Sequence, residues 1–436
     1  MPTFATHFHM QGDVNYQAQV KGDIVSMLQA GCCVGGLLIN VIGDPFGRKI
    51  AILAAASIFV VGSIIQVIAP SVGAMMAGRF LGGMGVGACS NIAPVYIAEI
   101  SPKEWRGRLN NLYQFLVVIG IMVSYWIDYG CLKNLSVSDT QWRIPLGLQI
   151  VPGGILIICV LLLPESLRWL AVRDRLDDLK RTISRLRDLP EDHPSVLAEM
   201  DEIHSAVLEE RAIKSSKWSE VCQKSNLRRL IIGVTIGICQ QWTGTNAINY
   251  YAPDLFKQIG FTGDSVDILA TGIYGIIKVV VVFAFFFMVD HPYLGRRNSL
   301  IIGTSIMLVG FFIIGGMIKI IEDTPGTTGG PAYAAMVMLY IYAIGYEMSW
   351  GPLVFVICAE IYPTRIRAIC MSISIAVFWA MNAVIAKVVP LMMANLTYGT
   401  YFFFGSMLFL ILCFTILFVP ETRARSLEDM EPVVCY

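Results

Sequence analysis

Long uninterrupted apolar runs dominate this 436-residue sequence and leave few folds open to it. Eleven of them reach about 18 residues: 23–42, 50–69, 72–97, 109–130, 142–163, 229–251, 266–289, 298–320, 332–358, 368–394 and 399–419. A bilayer offers the backbone no water to bond, so a run of roughly 20 apolar residues closes its hydrogen bonds within itself as a helix that crosses. The sequence therefore predicts an all-α polytopic membrane protein with 11 transmembrane helices. Charged residues make up 15% of the chain, short of the ~25% of a soluble domain. The formal net charge is zero, which removes any case for nucleic-acid binding. Most of the 11 cysteines lie in or beside apolar runs, and His7, His193 and His204 stand in polar segments without a partner at ligand spacing. Neither a disulfide framework, a metal site nor a cofactor is expected.

Lys and Arg in short loops stay on the cytoplasmic side. One set of loops holds 24 of the 32 basic residues, including Arg48, Lys49, Arg106, Arg108, Arg296, Arg297, Arg365, Arg367 and the 13 of segment 164–229. That set is assigned inside. The opposite set keeps Lys21, Lys133, Arg143, Lys257 and Lys319, while Arg79, Lys278 and Lys387 fall within spans. It also carries the glycosylation sequons at Asn134 and Asn395. The expected organisation is an extracellular segment (1–22), a bundle of five helices (23–163), a cytoplasmic loop with amphipathic helices (164–228), a bundle of six (229–419) and a cytoplasmic tail (420–436).

The two bundles repeat one another. Asp44 with Gly47-Arg48-Lys49 pairs with Asp290 and Gly295-Arg296-Arg297; Ala98-Glu99-Ile-Ser-Pro102 with Ala359-Glu360-Ile-Tyr-Pro363; and Pro164-Glu165-Ser166 with Pro420-Glu421-Thr422. The offsets are 246, 261 and 256 residues, as in a parallel repeat. Such an offset carries the partner of span 229–251 to or ahead of residue 1, so the opening helix of the first half is expected to be lacking, with Met1 internal to a longer frame or the chain a truncated carrier. Residues 1–22 are polar and hold no signal-peptide core.

Polar groups inside spans are costly and mark a solute path by default. Gln240, Gln241, Asn246 and Asn249 offer amide donors and acceptors suited to hydroxyls; helix-to-helix hydrogen bonding is the alternative role. Tyr250 and Tyr251 follow at the outer end. Lys278 sits in the middle of a span, where an ammonium needs an anionic or multiply accepting partner. Glu99 and Glu360, each beside an Arg cluster, suit latches that hold helix ends together and break as the inside opens, or else the basic residues serve topology alone. No nucleophile, base and oxyanion arrangement or phosphate loop points to an enzyme.

These motifs, together with Arg79 and Gly83, Gly85 and Gly87, Glu99 through Arg106-Gly-Arg108, Pro164-Glu-Ser-Leu-Arg-Trp169 and Gln240-Gln-Trp-Thr-Gly-Thr-Asn-Ala-Ile-Asn-Tyr-Tyr251, stand in the order of the sugar porter family of the major facilitator superfamily, which the chain resembles from Gly22 to Glu428. Gln141-Trp-Arg-Ile-Pro145 and Gly272-Ile-Tyr-Gly-Ile-Ile-Lys278 are most similar to its fungal hexose, pentose and quinate branch. The resemblance implies a major facilitator fold of two pseudo-symmetric bundles. It also implies solute binding by Gln240, Gln241 and Asn246, with Gln114, Trp379 and Asn382 at matching positions, and an outer gate closed by Tyr250 and Tyr251. Asn249, Lys278 and Glu347 join the candidate site: Lys278 faces Glu347 or a substrate carboxylate such as that of quinate, and Glu347 binds solute or answers protons. The inner gating set is Asp44, Arg48, Glu99, Arg106, Arg108, Asp290, Arg296, Arg297, Glu360 and Arg367. Phe355 stands where the family has a tryptophan, and two extra residues within 291–294 lengthen the second basic loop.

The function implied is secondary transport of a monosaccharide or related polyol by alternating access, with or without proton coupling, across what is expected to be the plasma membrane. The alternatives are a permease for polyol acids of the quinate kind, a non-transporting nutrient sensor on the same fold, or an inactive truncated carrier. The partners expected are a small sugar or polyol, protons and the lipid bilayer.

Overall fold

The computed structural model describes residues 2–8, 10, 13–102, 106–212, 217–259, 266–288, 295–324, 329–363 and 365–421. All regular structure among them is helical. The first half comprises α1 (Pro2–His7), α2 (Val14–Phe46), α3 (Arg48–Ile68), α4 (Val72–Ile100), α5 (Arg106–Asn134), α6 (Thr140–Leu148) and α7 (Ile150–Leu162). A connecting segment holds α8 (Leu167–Val172), α9 (Leu176–Arg187), α10 (Pro194–Ala212) and α11 (Lys217–Val221). The second half comprises α12 (Lys224–Trp242), α13 (Thr245–Gln258), α14 (Val266–Met288), α15 (Arg296–Asp323), α16 (Gly330–Glu347), α17 (Trp350–Ile361), α18 (Arg367–Leu396) and α19 (Gly399–Phe418).

Among the described residues nine helices are long and apolar enough to cross a membrane, with α6 and α7 forming one and α16 and α17 another. One of the eleven expected spans differs: 229–251 is broken at Gly244, whose φ of +90° is one that side chains rarely adopt, whereas α14 follows span 266–289. A Cβ at Gly244 would also stand 2.8 Å from the Phe311 ring, so the break needs glycine on both counts. Apolar side chains such as Leu162, Val280 and Leu417 point outward, as a lipid-facing surface requires.

Helices α2 and α4 approach backbone to backbone. An added Cβ on Gly31, Gly35, Gly83 or Gly87 would lie about 2 Å from a carbonyl oxygen of the facing helix. With no hydrophobic drive between helices in lipid, such close van der Waals packing supplies much of the association. The second half has the larger core, around Phe311, which stacks on Phe404 at 5.9 Å and meets Tyr342 at 4.7 Å.

The third repeated motif has one structural role in both halves. Glu165 Oε1 accepts from the backbone N–H of Arg48 (2.8 Å) and Lys49 (3.1 Å), the first residues of α3. Glu421 accepts likewise from Arg296 N (2.9 Å) and Arg297 N (3.1 Å) at the start of α15. Each carboxylate meets orphan donors and the positive end of a helix dipole.

The connecting segment has a small core of its own, in which Leu170, Leu179, Ile183 and Val196 pack together. Arg211 bonds Asp174 at 3.0 Å and holds that carboxyl below its ordinary range. Arg187, paired with Glu199 at 2.6 Å, donates to Ile100 O of the first half, whereas Glu220 of α11 pairs with Arg365 of the second. The segment thus touches both halves.

Candidate solute-binding site

A cavity of about 3080 Å³ lies between the halves. Its wall runs from Arg48, Glu99, Glu360 and Arg365 at the end bearing the basic loops to Tyr250 and Asn382 in the interior. Beyond those two residues the halves are joined. Gln29 Nε2 of α2 donates to Tyr250 OH of α13 (2.8 Å), and Tyr250 OH donates to Asn382 Oδ1 of α18 (3.1 Å). Farther out, two ion pairs cross from α2 to the second half: Lys21 to Asp254 (3.3 Å) and Asp23 to Lys387 (2.7 Å). Among the described residues the cavity therefore opens toward the basic end and is closed at the other.

Breaks in helices bring the polar residues to that wall. Beyond the Gly244 break, α13 carries Asn246, Asn249 and Tyr250 on the lining. The other break falls between α16 and α17 at Ser349, and leaves Glu347 as the last residue of α16 beside Gly351 and Pro352 on the lining. Of the nine residues expected to bind solute, Gln114, Gln240, Asn246, Asn249, Lys278, Glu347, Trp379 and Asn382 line the cavity. Gln241 does not: it is fully buried (0% exposed) and accepts from Asn246. Neighbouring residues on a helix point about 100° apart, so Gln240 and Gln241 do not share one face.

Gln240 Nε2 donates to Tyr346 OH (3.2 Å) and Trp350 O (2.9 Å), which leaves its buried Oε1 with no partner in the structure. A carbonyl held by its own amide and aimed without a donor suits a solute hydroxyl. Trp379 donates to Ser90 Oγ across the halves (3.3 Å) and continues an aromatic wall through Phe378 to Phe355, with ring centres 5.2 and 5.4 Å apart. Phe355 keeps a stacking face there without an N–H donor.

Lys278 and Glu347 form a buried ion pair, Nζ to Oε1 2.9 Å, at 2% and 1% exposure. Lys278 also donates to Asn249 Oδ1 (3.3 Å) and lies 5.6 Å from the ring centres of Tyr274 and Tyr346. Glu347 Oε2 has no hydrogen-bond partner. Two charges taken out of water are costly unless they compensate one another, and this contact supplies that compensation. Among the described residues no group of His, Cys, Asp and Glu is arranged to hold a metal.

At the basic end, Arg48 meets Asp44 (3.0 Å) and Glu99 (3.4 Å), and Arg296 meets Glu360 (3.5 Å). These pairs lie within one half each and are formed while the cavity reaches that end, so opening has not broken them. Arg297 N joins the Glu421 cap and Arg367 Nε donates to Tyr362 O (3.2 Å), also inside the second half. Tyr251 OH donates to Ala386 O (2.6 Å), joining α13 to α18. Asp290 and the side chains of Arg106 and Arg108 lie outside the described residues. Sequence reading missed Gln29, Asp23, Asp254 and Tyr346. A lone polar residue in or beside a span gives no partner by spacing, and each of these finds its partner on a distant helix.

The model of the family described as sugar (and other) transporter matches residues 1–434. A quinate permease of Emericella nidulans is 36% identical over 431 residues, covering 94% of this chain and 79% of that protein. A probable quinate permease of Neosartorya fischeri is 37% identical over 425 residues, covering 94% and 78%. Among solved structures, the major facilitator superfamily proton:xylose symporter XylE bound to 6-bromo-6-deoxy-D-glucose is 26% identical with a TM-score of 0.81, covering 99% of this chain and 93% of that one.

Proposed function

The chain belongs to the sugar (and other) transporter family, and from that premise we propose that its solute is a small polyhydroxylated acid of the quinate kind, carried by alternating access. It is a multi-pass membrane transporter with the major facilitator fold and not an enzyme. In the proposed cycle the halves 23–163 and 229–419 rock about the central cavity, in the plasma membrane. The observation that carries the substrate reading is the Lys278 ammonium on the cavity wall among amides. A lysine buried in a span is costly, and a neutral sugar would be served by an amide in its place. Gln240 Oε1 and Asn246 then take hydroxyls, while Trp379 stacks on the ring face. The relatives named quinate permease agree with this reading.

A second reading, a neutral monosaccharide, is favoured by the pairing of Lys278 with Glu347, which leaves the site without net charge. Labelled uptake of quinate, xylose and glucose in yeast lacking hexose carriers separates the two. The first reading expects quinate uptake that Lys278→Gln abolishes. Uptake of xylose or glucose alone would leave the second.

A further inference from the structure

The buried pair is built so that only one of its members depends wholly on the other. Lys278 has three supports: Glu347 Oε1 at 2.9 Å, Asn249 Oδ1 at 3.3 Å, and the ring faces of Tyr274 and Tyr346 at 5.6 Å. Glu347 has one, because its Oε2 has no donor in the structure. The titratable groups that face Glu347 are Lys278 and Tyr274 of α14 and Tyr346 of its own helix. Lys278 is faced in addition by Tyr125 of α5. From α13 the Asn249 amide accepts from Lys278, and from α12 the Gln240 amide donates to Tyr346. Among the described residues no third ionised side chain pairs with either member.

From this asymmetry we infer that the Lys278–Glu347 pair couples solute to protons: the carboxylate of the solute takes the Lys278 ammonium, and Glu347, released, takes one proton from cavity water. This rests on the reading of the solute as a carboxylate. The ammonium stays in place on Asn249 and the two rings and merely exchanges one anion for another. Glu347 is then a carboxylate in a desolvated place with neither counter-ion nor donor, and protonation at an oxygen removes that cost. Both residues line the cavity, so the solute and the proton reach the pair through one space. The charge balances at each stage: one anion and one proton enter together, the site keeps the net charge of the empty pair, and no net charge crosses the membrane. When the solute leaves, Glu347 gives its proton back to water and pairs again with Lys278.

The test is proton uptake on binding, measured with the purified full chain in detergent by calorimetry in buffers of different ionisation enthalpy. Quinate should bind with uptake of about one proton, and its affinity should fall by up to tenfold per pH unit once Glu347 must be protonated to admit it. Glu347→Gln should bind quinate with no proton uptake and a flat pH profile, whereas Glu347→Asp should restore the slope. Quinate bound by the wild-type chain without a proton overturns the coupling and leaves the substrate reading standing. A proton still taken up by Glu347→Gln overturns it too, by placing the acceptor elsewhere. Binding of xylose but not quinate removes both the substrate reading and the coupling built on it. The wild-type measurement is decisive even where a variant fails to fold.

Discussion

The side chain of Gln29, on α2, donates at 2.8 Å to the hydroxyl of Tyr250, on α13, and so joins the two halves where the cavity ends. Tyr250 OH in turn donates to Asn382 Oδ1 of α18 at 3.1 Å, so that one phenol ties three helices together. With Lys21–Asp254 and Asp23–Lys387 beyond it, the closed end is held by contacts that must all separate before solute can enter from that side.

Removing the hydroxyl should weaken that closure. A neutral hydrogen bond is worth about 1 kcal/mol net, and of the two that Tyr250→Phe loses only the one from Gln29 crosses between the halves. The conformational balance is expected to shift roughly five- to tenfold toward opening at this end. Labelling of a cysteine introduced at position 25, which packs against the second half, measured against one introduced on the lipid face, reads the shift. Unchanged labelling rates would make Tyr250 a packing residue.

The adjacent glutamines should behave differently. Gln240 lines the cavity and its buried Oε1 has no partner in the structure, while Gln241 is off the lining and accepts from Asn246. Gln240→Ala is expected to raise the transport KM about tenfold, the size of one lost hydrogen bond to solute with its partner left bare. Gln241→Ala should raise it about threefold through Asn246 alone. Saturation kinetics normalised to surface abundance check the order, and a larger effect at Gln241 would contradict the geometry.

Those two residues also show where sequence reading stops. Apolar runs, basic loops and repeated motifs are local patterns with a direct physical cause, and the spans follow from them apart from the break at Gly244; polar groups within spans and the family resemblance supplied the candidate site residues, eight of which line the cavity. Which amide of a consecutive pair faces solute depends on the rotation of α12, and neighbouring helices set that. The Lys278–Glu347 contact was one of two partners the sequence allowed, because a buried ammonium demands an anion but does not name it. Glu165 was legible as a repeated residue and opaque as a helix cap, since its donors, Arg48 N and Lys49 N, belong to a helix more than a hundred residues away. Span 229–251 looked continuous because apolarity is blind to backbone direction, and only Gly244 hinted at the turn.

The repeated caps make matched predictions. Glu165→Ala and Glu421→Ala each strip an acceptor from the first N–H groups of α3 and α15, and each should cost about 1 kcal/mol of stability. The two losses should add, because the two caps belong to different halves. Thermal denaturation of the purified single and double variants measures this. A double variant no less stable than either single would mean that one of the caps is idle.

The buried pair offers the sharpest stability test, because its two charges are coupled by desolvation rather than by a surface attraction. Lys278→Met leaves Glu347 without its one partner, and Glu347→Met leaves Lys278 on Asn249 and two aromatic rings. Breaking a buried pair from one side costs about 3–5 kcal/mol, whereas replacing both members by apolar residues of similar volume is often neutral. The double variant is therefore expected to be more stable than either single, and Glu347→Met to be milder than Lys278→Met because the ammonium keeps other supports. Thermal shift on all three variants reads both orders. Equal destabilisation by the two singles, with no recovery in the double, would mean that the pair is held by its surroundings and not by mutual compensation, and the asymmetry on which proton exchange depends would have no energetic basis.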